Sequence, residues 1–262
     1  MTSYIESMID VPLGKMRLWE AGEGQNLCCF PGYGGLPRWL PFLEKLAEGF
    51  RVKVASLPGF PGGPNHENLD NHLDWVVSAH DALVHSQPGQ KILMGSSVGG
   101  ALAAEVAALW PEEISKLVLI APFGLFDETR PVSDVFAAEP KMGLSAISNK
   151  PQELEEWLSP PDKMTAEDWA IVQLRAKVAA ADILWPLSDT GLKKRLMRIK
   201  CPTLIIWGRE DKIIPCSYAE DFVGNISGPT QVEIVENAGH MVEFDDPERV
   251  EGEVKSFLTK ER

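Results

Sequence analysis

Short apolar runs bounded by turn-forming residues recur along the chain. Leu27 to Phe30, Val52 to Leu57, Ile92 to Met94, Leu117 to Ala121, Leu204 to Trp207 and Val232 to Val235 each read as a buried strand. Between them, apolar positions repeat at helical spacing over Trp39 to Phe50, Leu69 to His85, Val98 to Trp110, Tyr218 to Ile226 and Pro247 to Leu258. Strands alternating with helices of this length predict βαβ units and a mainly parallel sheet with helices on its faces, an α/β fold. Ahead of them, Tyr4 to Val11 and Lys15 to Glu20 flank Pro12-Leu13-Gly14 and read as a hairpin that extends the sheet in antiparallel fashion.

The alternation stops between about 123 and 199. Only helix-like pieces remain there, around Ser133 to Ala138, Gln152 to Leu158, Ala166 to Ile183 and Gly191 to Ile199, divided by prolines. The expected organisation is therefore a core of residues 1–122 and 200–262 with an all-helical insertion over 123–199. A length of 262 residues suits one large core that carries such an insertion.

Composition narrows the class. Apolar residues make up 44% and charged residues 24%, which is ordinary for a folded domain. The formal net charge of −13 repels phosphate backbones and anionic headgroups, so nucleic acid is an unfavourable partner. The densest basic run, Lys193-Lys194-Arg195 with Arg198 and Lys200, reads as a solvated helix face. No basic start followed by an apolar run occupies residues 1–20, and no apolar run reaches the roughly 18 residues of a membrane span, so no membrane partner and a cytoplasmic location are expected. Cys28, Cys29, Cys201 and Cys216 show no zinc or disulfide spacing and read as free thiols. No metal motif, P-loop or dinucleotide fingerprint is present, so no cofactor is implied and a small apolar molecule is the expected partner.

Chemistry is concentrated where strands end. Lys91 to Met94 runs into Gly95-Ser96-Ser97-Val98-Gly99-Gly100 and then into a helix, which is G-x-S-x-G in its strand-turn-helix context. Only Ser97 has a small residue both two before and two after it, as the crowded turn demands, so Ser97 is the candidate nucleophile. A serine needs a positioned base and a group to orient that base. His66, His72, His80 and His85 lie upstream and read as surface polarity, whereas His240 follows a strand in Glu236-Asn237-Ala238-Gly239-His240, where open α/β sheets place their chemistry. His240 is the candidate base. After Leu204 to Trp207 comes Gly208-Arg209-Glu210-Asp211, where Glu210 and Asp211 compete as the orienting carboxylate.

These blocks, together with Phe30-Pro31-Gly32-Tyr33-Gly34-Gly35, Leu57-Pro58-Gly59-Phe60 and the Glu243 and Asp246-Pro247 that follow His240, resemble the α/β-hydrolase family over essentially the whole chain. The resemblance implies a serine hydrolase whose acid is Asp211, whose oxyanion hole is the backbone N–H of Tyr33 and of Val98, and whose 123–199 insertion is a lid. Two positions depart from the family: Pro31 stands where His is usual, and Ser56 where Asp is usual. A Ser nucleophile implies ester hydrolysis before the Asp-dependent dehalogenase or epoxide chemistries. The alternatives are carbon–carbon bond hydrolysis of aromatic ring-fission products, against which Met241 replaces the aromatic residue often found after the histidine, and a ligand-binding protein without turnover. Within the insertion Phe126, Phe136, Met142, Leu144, Trp157, Met164, Trp169 and Trp185 are the apolar side chains available for a pocket, with Trp169, Trp185 and Phe126 the chosen substrate contacts.

Overall fold

The computed structural model describes residues 4–136, 143–162, 164–185 and 189–260, so the expectations at Met142 and at Ala137 and Ala138 lie outside the described residues. Among the described residues eight strands form one sheet: β1 (Ile5–Val11), β2 (Gly14–Ala21), β3 (Gln25–Phe30), β4 (Phe50–Ala55), β5 (Lys91–Ser96), β6 (Ile114–Ile120), β7 (Thr203–Gly208) and β8 (Thr230–Val235). Their spatial order is β1-β2-β4-β3-β5-β6-β7-β8. The β1–β2 hairpin joins antiparallel, as expected, and β4, β3, β5, β6, β7 and β8 pair in parallel.

Side chains alternate across this sheet, and both faces are covered, which is why the strands read as unbroken apolar runs. In β6, Leu117 and Leu119 join the apolar cluster that includes α2 (His72–Ser86) and α3 (Ser97–Leu109), while Val118 and Ile120 join the one on the opposite face that includes α1 (Pro41–Leu46). The helix expected over Trp39 to Phe50 is shorter than its pattern. Pro41 holds Leu40 extended, and Phe50 is drawn into β4 opposite Gln25. Asn71 and Asp74 close a capping box at the start of α2.

Between β6 and β7 the described chain holds α4 (Pro151–Trp157), α5 (Ala166–Leu184) and 3₁₀ turns at Gly143–Ala146, Leu192–Lys194 and Leu196–Arg198. Residues 133–136 are not helical, and the helix expected over Gly191 to Ile199 is replaced by the last two turns. Beyond β7 come α6 (Tyr218–Asn225), α7 (Val242–Asp245) and α8 (Pro247–Thr259), of which α7 had no counterpart in the sequence pattern.

The basic run is not simply a solvated face. Arg195 sends Nε and Nη2 to the buried Glu105 carboxylate at 2.6 and 2.5 Å, and Arg198 Nε donates to Ala108 O at 2.8 Å. A carboxylate buried inside an apolar helix requires such a partner. Two upstream histidines are likewise built in. His72 lies 3.1 Å from Ile183 O and 3.3 Å from Glu105 Oε1, tying the end of α5 to the core, and His80 stacks on Trp110 with centroids 3.9 Å apart. Among the described residues no helix is long and apolar enough to cross a membrane.

Candidate active site

Ser97 begins α3 at the end of β5, and its backbone carries a φ of 53°, a left-handed value that a side chain adopts only under constraint. The glycines around it explain how so tight a turn fits. A Cβ on Gly99 would come within 2.4 Å of both Phe30 O and Pro31 O, and one on Gly95 within 2.4 Å of Gly99 O. The turn thus lifts the Ser97 side chain out of the sheet, as its spacing predicts.

Ser97 Oγ lies 2.8 Å from His240 Nε2, and His240 Nδ1 lies 2.8 Å from Asp211 Oδ2. Three strand ends supply the three residues. Asp211 Oδ1 accepts from the N–H groups of Ile213 and Ile214 at 2.8 and 2.9 Å, and Oδ2 also accepts from Trp207 Nε1 at 3.0 Å. Glu210, the competing acid, is exposed and accepts from Asn149 Nδ2 at 3.1 Å. Burial favours the neutral imidazole of His240, but the Asp211 carboxylate beside it, by its charge and its hydrogen bond, outweighs burial and raises its pKa above 6.5. Asp211 therefore holds a proton on Nδ1 and leaves Nε2 to accept from Ser97, a chain able to remove the serine proton.

Val98 is the second residue of α3, so its N–H has no partner within the helix. Tyr33 occupies a turn closed by Gly35 N to Gly32 O at 3.0 Å, and a Cβ on Gly32 would lie 3.2 Å from Ser97 Cβ. Pro31 in place of His leaves this close approach intact. Ser56 in place of Asp accepts from Arg17 Nε at 3.2 Å, away from the triad.

Above Ser97 and His240 opens a cavity of about 730 Å³, bounded by the Gly32–Leu36 loop, the segment between β6 and β7 and the loop of His240. Of the three chosen substrate contacts Trp169 lines it, with its Nε1 anchored on Leu158 O at 2.8 Å. Trp185 and Phe126 lie off its described lining. Trp185 follows the last turn of α5, where Ile183 and Leu184 turn inward and leave it 75% exposed, and Phe126 is 40% exposed. Leu144, Leu154 and Trp157, from the segment between β6 and β7, do line the cavity, together with Lys177.

Two carboxylates near the site received no role from the sequence, although Glu243 stands in one of the blocks that carry the family resemblance. The buried Asp245 carboxylate accepts from Gly239 N at 2.7 Å, from Asn149 N at 3.1 Å and from the Ser148 hydroxyl, and Met241 N donates to Ile147 O at 2.9 Å. The histidine loop is thereby stitched to residues 147–149. Glu243 is also buried, with Oε1 2.6 Å from Ser96 Oγ.

The sequence pattern described as the alpha/beta hydrolase family matches residues 29–253. The chain belongs to the α/β-hydrolase family. This hydrolase is 25% identical to the monoacylglycerol lipase ABHD6 of Homo sapiens over 84% of its own chain and 71% of that protein. It is 26% identical to the 2-hydroxy-6-oxononadienedioate/2-hydroxy-6-oxononatrienedioate hydrolase of Comamonas testosteroni, over 88% and 86% of the two chains. The solved 2-hydroxy-6-oxo-6-phenylhexa-2,4-dienoate hydrolase of Rhodococcus sp. strain RHA1 has the same fold, with a TM-score of 0.79 at 17% identity over 99% of this chain and 100% of that one. Among the described residues of this α/β hydrolase no three His, Cys, Asp or Glu side chains gather to hold a metal ion.

Proposed function

We propose that this α/β hydrolase is a serine esterase that cleaves small apolar or aromatic carboxylic esters through an acyl-enzyme. The reading rests above all on the hydrogen-bonded series Ser97, His240, Asp211 opening onto a largely apolar cavity. Ser97 Oγ attacks the ester carbonyl as His240 Nε2 takes its proton. The oxyanion that forms is held by the N–H groups of Val98 and Tyr33, each such donor being worth roughly a hundredfold to a thousandfold in rate. His240 then returns the proton to the departing alcohol, and water, deprotonated by the same imidazole, releases the acid. Asp211 stabilises the imidazolium throughout. In this reading residues 123–199 are a lid that shapes the cavity and supplies none of the three triad members. A cytoplasmic location accords with the free thiols of Cys28, Cys29, Cys201 and Cys216.

The test is labelling with a fluorophosphonate, followed by turnover of p-nitrophenyl esters of graded chain length beside an aromatic ring-fission product. Esters turned over faster than the ring-fission product support the reading. The reverse order favours carbon–carbon bond hydrolysis, which the Comamonas relative's name brings forward. Failure to label and to turn over would leave a ligand-binding protein.

Two further outcomes are expected. Because the base acts as neutral imidazole and its pKa is raised, kcat/KM should climb with pH through a midpoint above 6.5, and a midpoint below that value contradicts the assigned electrostatics. Trp169→Ala should lower kcat/KM for long esters by about 1 to 3 kcal/mol, the worth of a small apolar group, while sparing the shortest ester. Equal losses on all esters would make Trp169 a docking residue of the lid.

A further inference from the structure

The triad leaves one polar pair of the cavity unused. Glu243 in α7 is buried, with Oε1 2.6 Å from Ser96 Oγ, while its Oε2 is buried with no hydrogen-bond partner among the described residues. Ser96 is half-exposed and lines the cavity. Its Oγ lies 3.6 Å from the point where a Cβ on Gly32 would sit, and that same point is 3.2 Å from Ser97 Cβ. The Ser96 hydroxyl therefore stands between the Glu243 carboxyl and the Gly32–Tyr33 backbone, beside the nucleophile.

The direction of the hydrogen bond matters. Were Glu243 ionised, Oε2 would be a buried anionic oxygen without a hydrogen-bond partner among the described residues, a much greater cost than leaving one carbonyl oxygen of a neutral acid unpaired. The surrounding charges do not reverse this. His240 favours ionisation and Asp245, two residues along, opposes it. From α1, which packs on α7, come Glu44 and Lys45, and Lys45 turns away to Glu248 of α8 at 3.2 Å. Burial is the largest influence and pushes the Glu243 carboxyl above the usual carboxylate range, against the Ser96 hydrogen bond and the pull of the residue's own backbone N–H.

We propose that Glu243 and Ser96 form a relay in which the carboxylic acid donates its proton to Ser96 Oγ, and Ser96 donates its own to the substrate oxygen lodged against the Gly32–Tyr33 turn. Ser96 then touches the substrate and Glu243 is a positioning residue. The acid fixes the hydroxyl as a donor to the cavity. Loss of the acid proton would turn the Ser96 hydrogen back to Oε1 and present lone pairs to that substrate oxygen. The relay thus operates while Glu243 is protonated and fails as pH rises through its pKa, opposite in sense to the rise set by His240. It rests on the esterase reading and adds a donor to it.

Ser96→Ala, Glu243→Met and Glu243→Gln, assayed on a short phenyl ester across pH, test the relay. Ser96→Ala removes a single oxygen and should lower kcat by up to about a hundredfold with little change in KM, as for a donor that matters most once charge develops. Glu243→Met should move kcat in the same direction. Glu243→Gln, whose amide N–H can donate to Ser96 Oγ at any pH, should recover most of what Glu243→Met loses and abolish the wild-type decline at high pH. Wild-type kcat in Ser96→Ala, or Glu243→Gln as slow as Glu243→Met, would overturn the relay while the esterase reading stands. A wild-type protein that neither labels with fluorophosphonate nor cleaves the ester would overturn both.

Discussion

Ser97→Ala should reduce turnover by about 10⁵ to 10⁶ fold, because it removes the hydroxyl that is hydrogen-bonded to His240 Nε2 and the remaining oxyanion donors give only residual catalysis. The fold should survive. Alanine has the same backbone requirement at a φ of 53° as serine, and the oxygen removed bonds to His240 rather than to the core. The measurement is fluorophosphonate labelling alongside ester turnover, with thermal melting as the control for folding. Label should be lost from Ser97→Ala and retained, on Ser97, by Ser96→Ala. The opposite pattern would transfer the nucleophile to Ser96.

Asp211→Asn should cost about four orders of magnitude in kcat, and the surrounding hydrogen bonds say why. The N–H groups of Ile213 and Ile214 both point at Oδ1, so an asparagine would keep its carbonyl oxygen there and turn its amide towards His240 Nδ1. A donor facing Nδ1 forces the proton onto Nε2, which then cannot accept from Ser97. Trp207 Nε1, displaced from Oδ2, still has Ile214 O at 3.0 Å, so the loss should fall on rate rather than on stability. Glu210→Gln should change little, since Glu210 is exposed. If instead Glu210→Gln is the damaging substitution and Asp211→Asn is harmless, the carboxylate has been wrongly chosen.

What could be read in advance follows from local constraint. The parallel strands are buried on both faces, so their apolar runs mark them in the sequence, and the glycines of the Ser97 turn are demanded by backbone contacts as close as 2.4 Å. Asp211 and His240 sit at strand ends, where topology alone directs side chains to one edge of the sheet. The cavity walls were less legible. Trp169 and Trp185 look alike in sequence, yet Trp169 lies within α5 and lines the pocket, while Trp185 falls just past the helix end on extended backbone and is left in water. Arg195 looked like one more surface cation because Glu105, its partner, is ninety residues away in an apolar helix. The Ser96–Glu243 contact is likewise long-range, and nothing local in either segment announces it.

The stitching of the histidine loop to residues 147–149 bears on how such proteins can be recombined. Chimeras that exchange the segment between β6 and β7 for that of a relative are most simply cut at 122 and 200, where the alternation of strand and helix breaks. That cut would discard Ile147, Ser148 and Asn149, and with them the groups that bond Met241 and Asp245, which hold the loop of His240. A graft spliced after Lys150 would keep these contacts and exchange only α4, α5 and the turns that follow. Judged by what holds the loop of His240, the protein thus has its working boundary within the segment between β6 and β7, immediately before α4 begins.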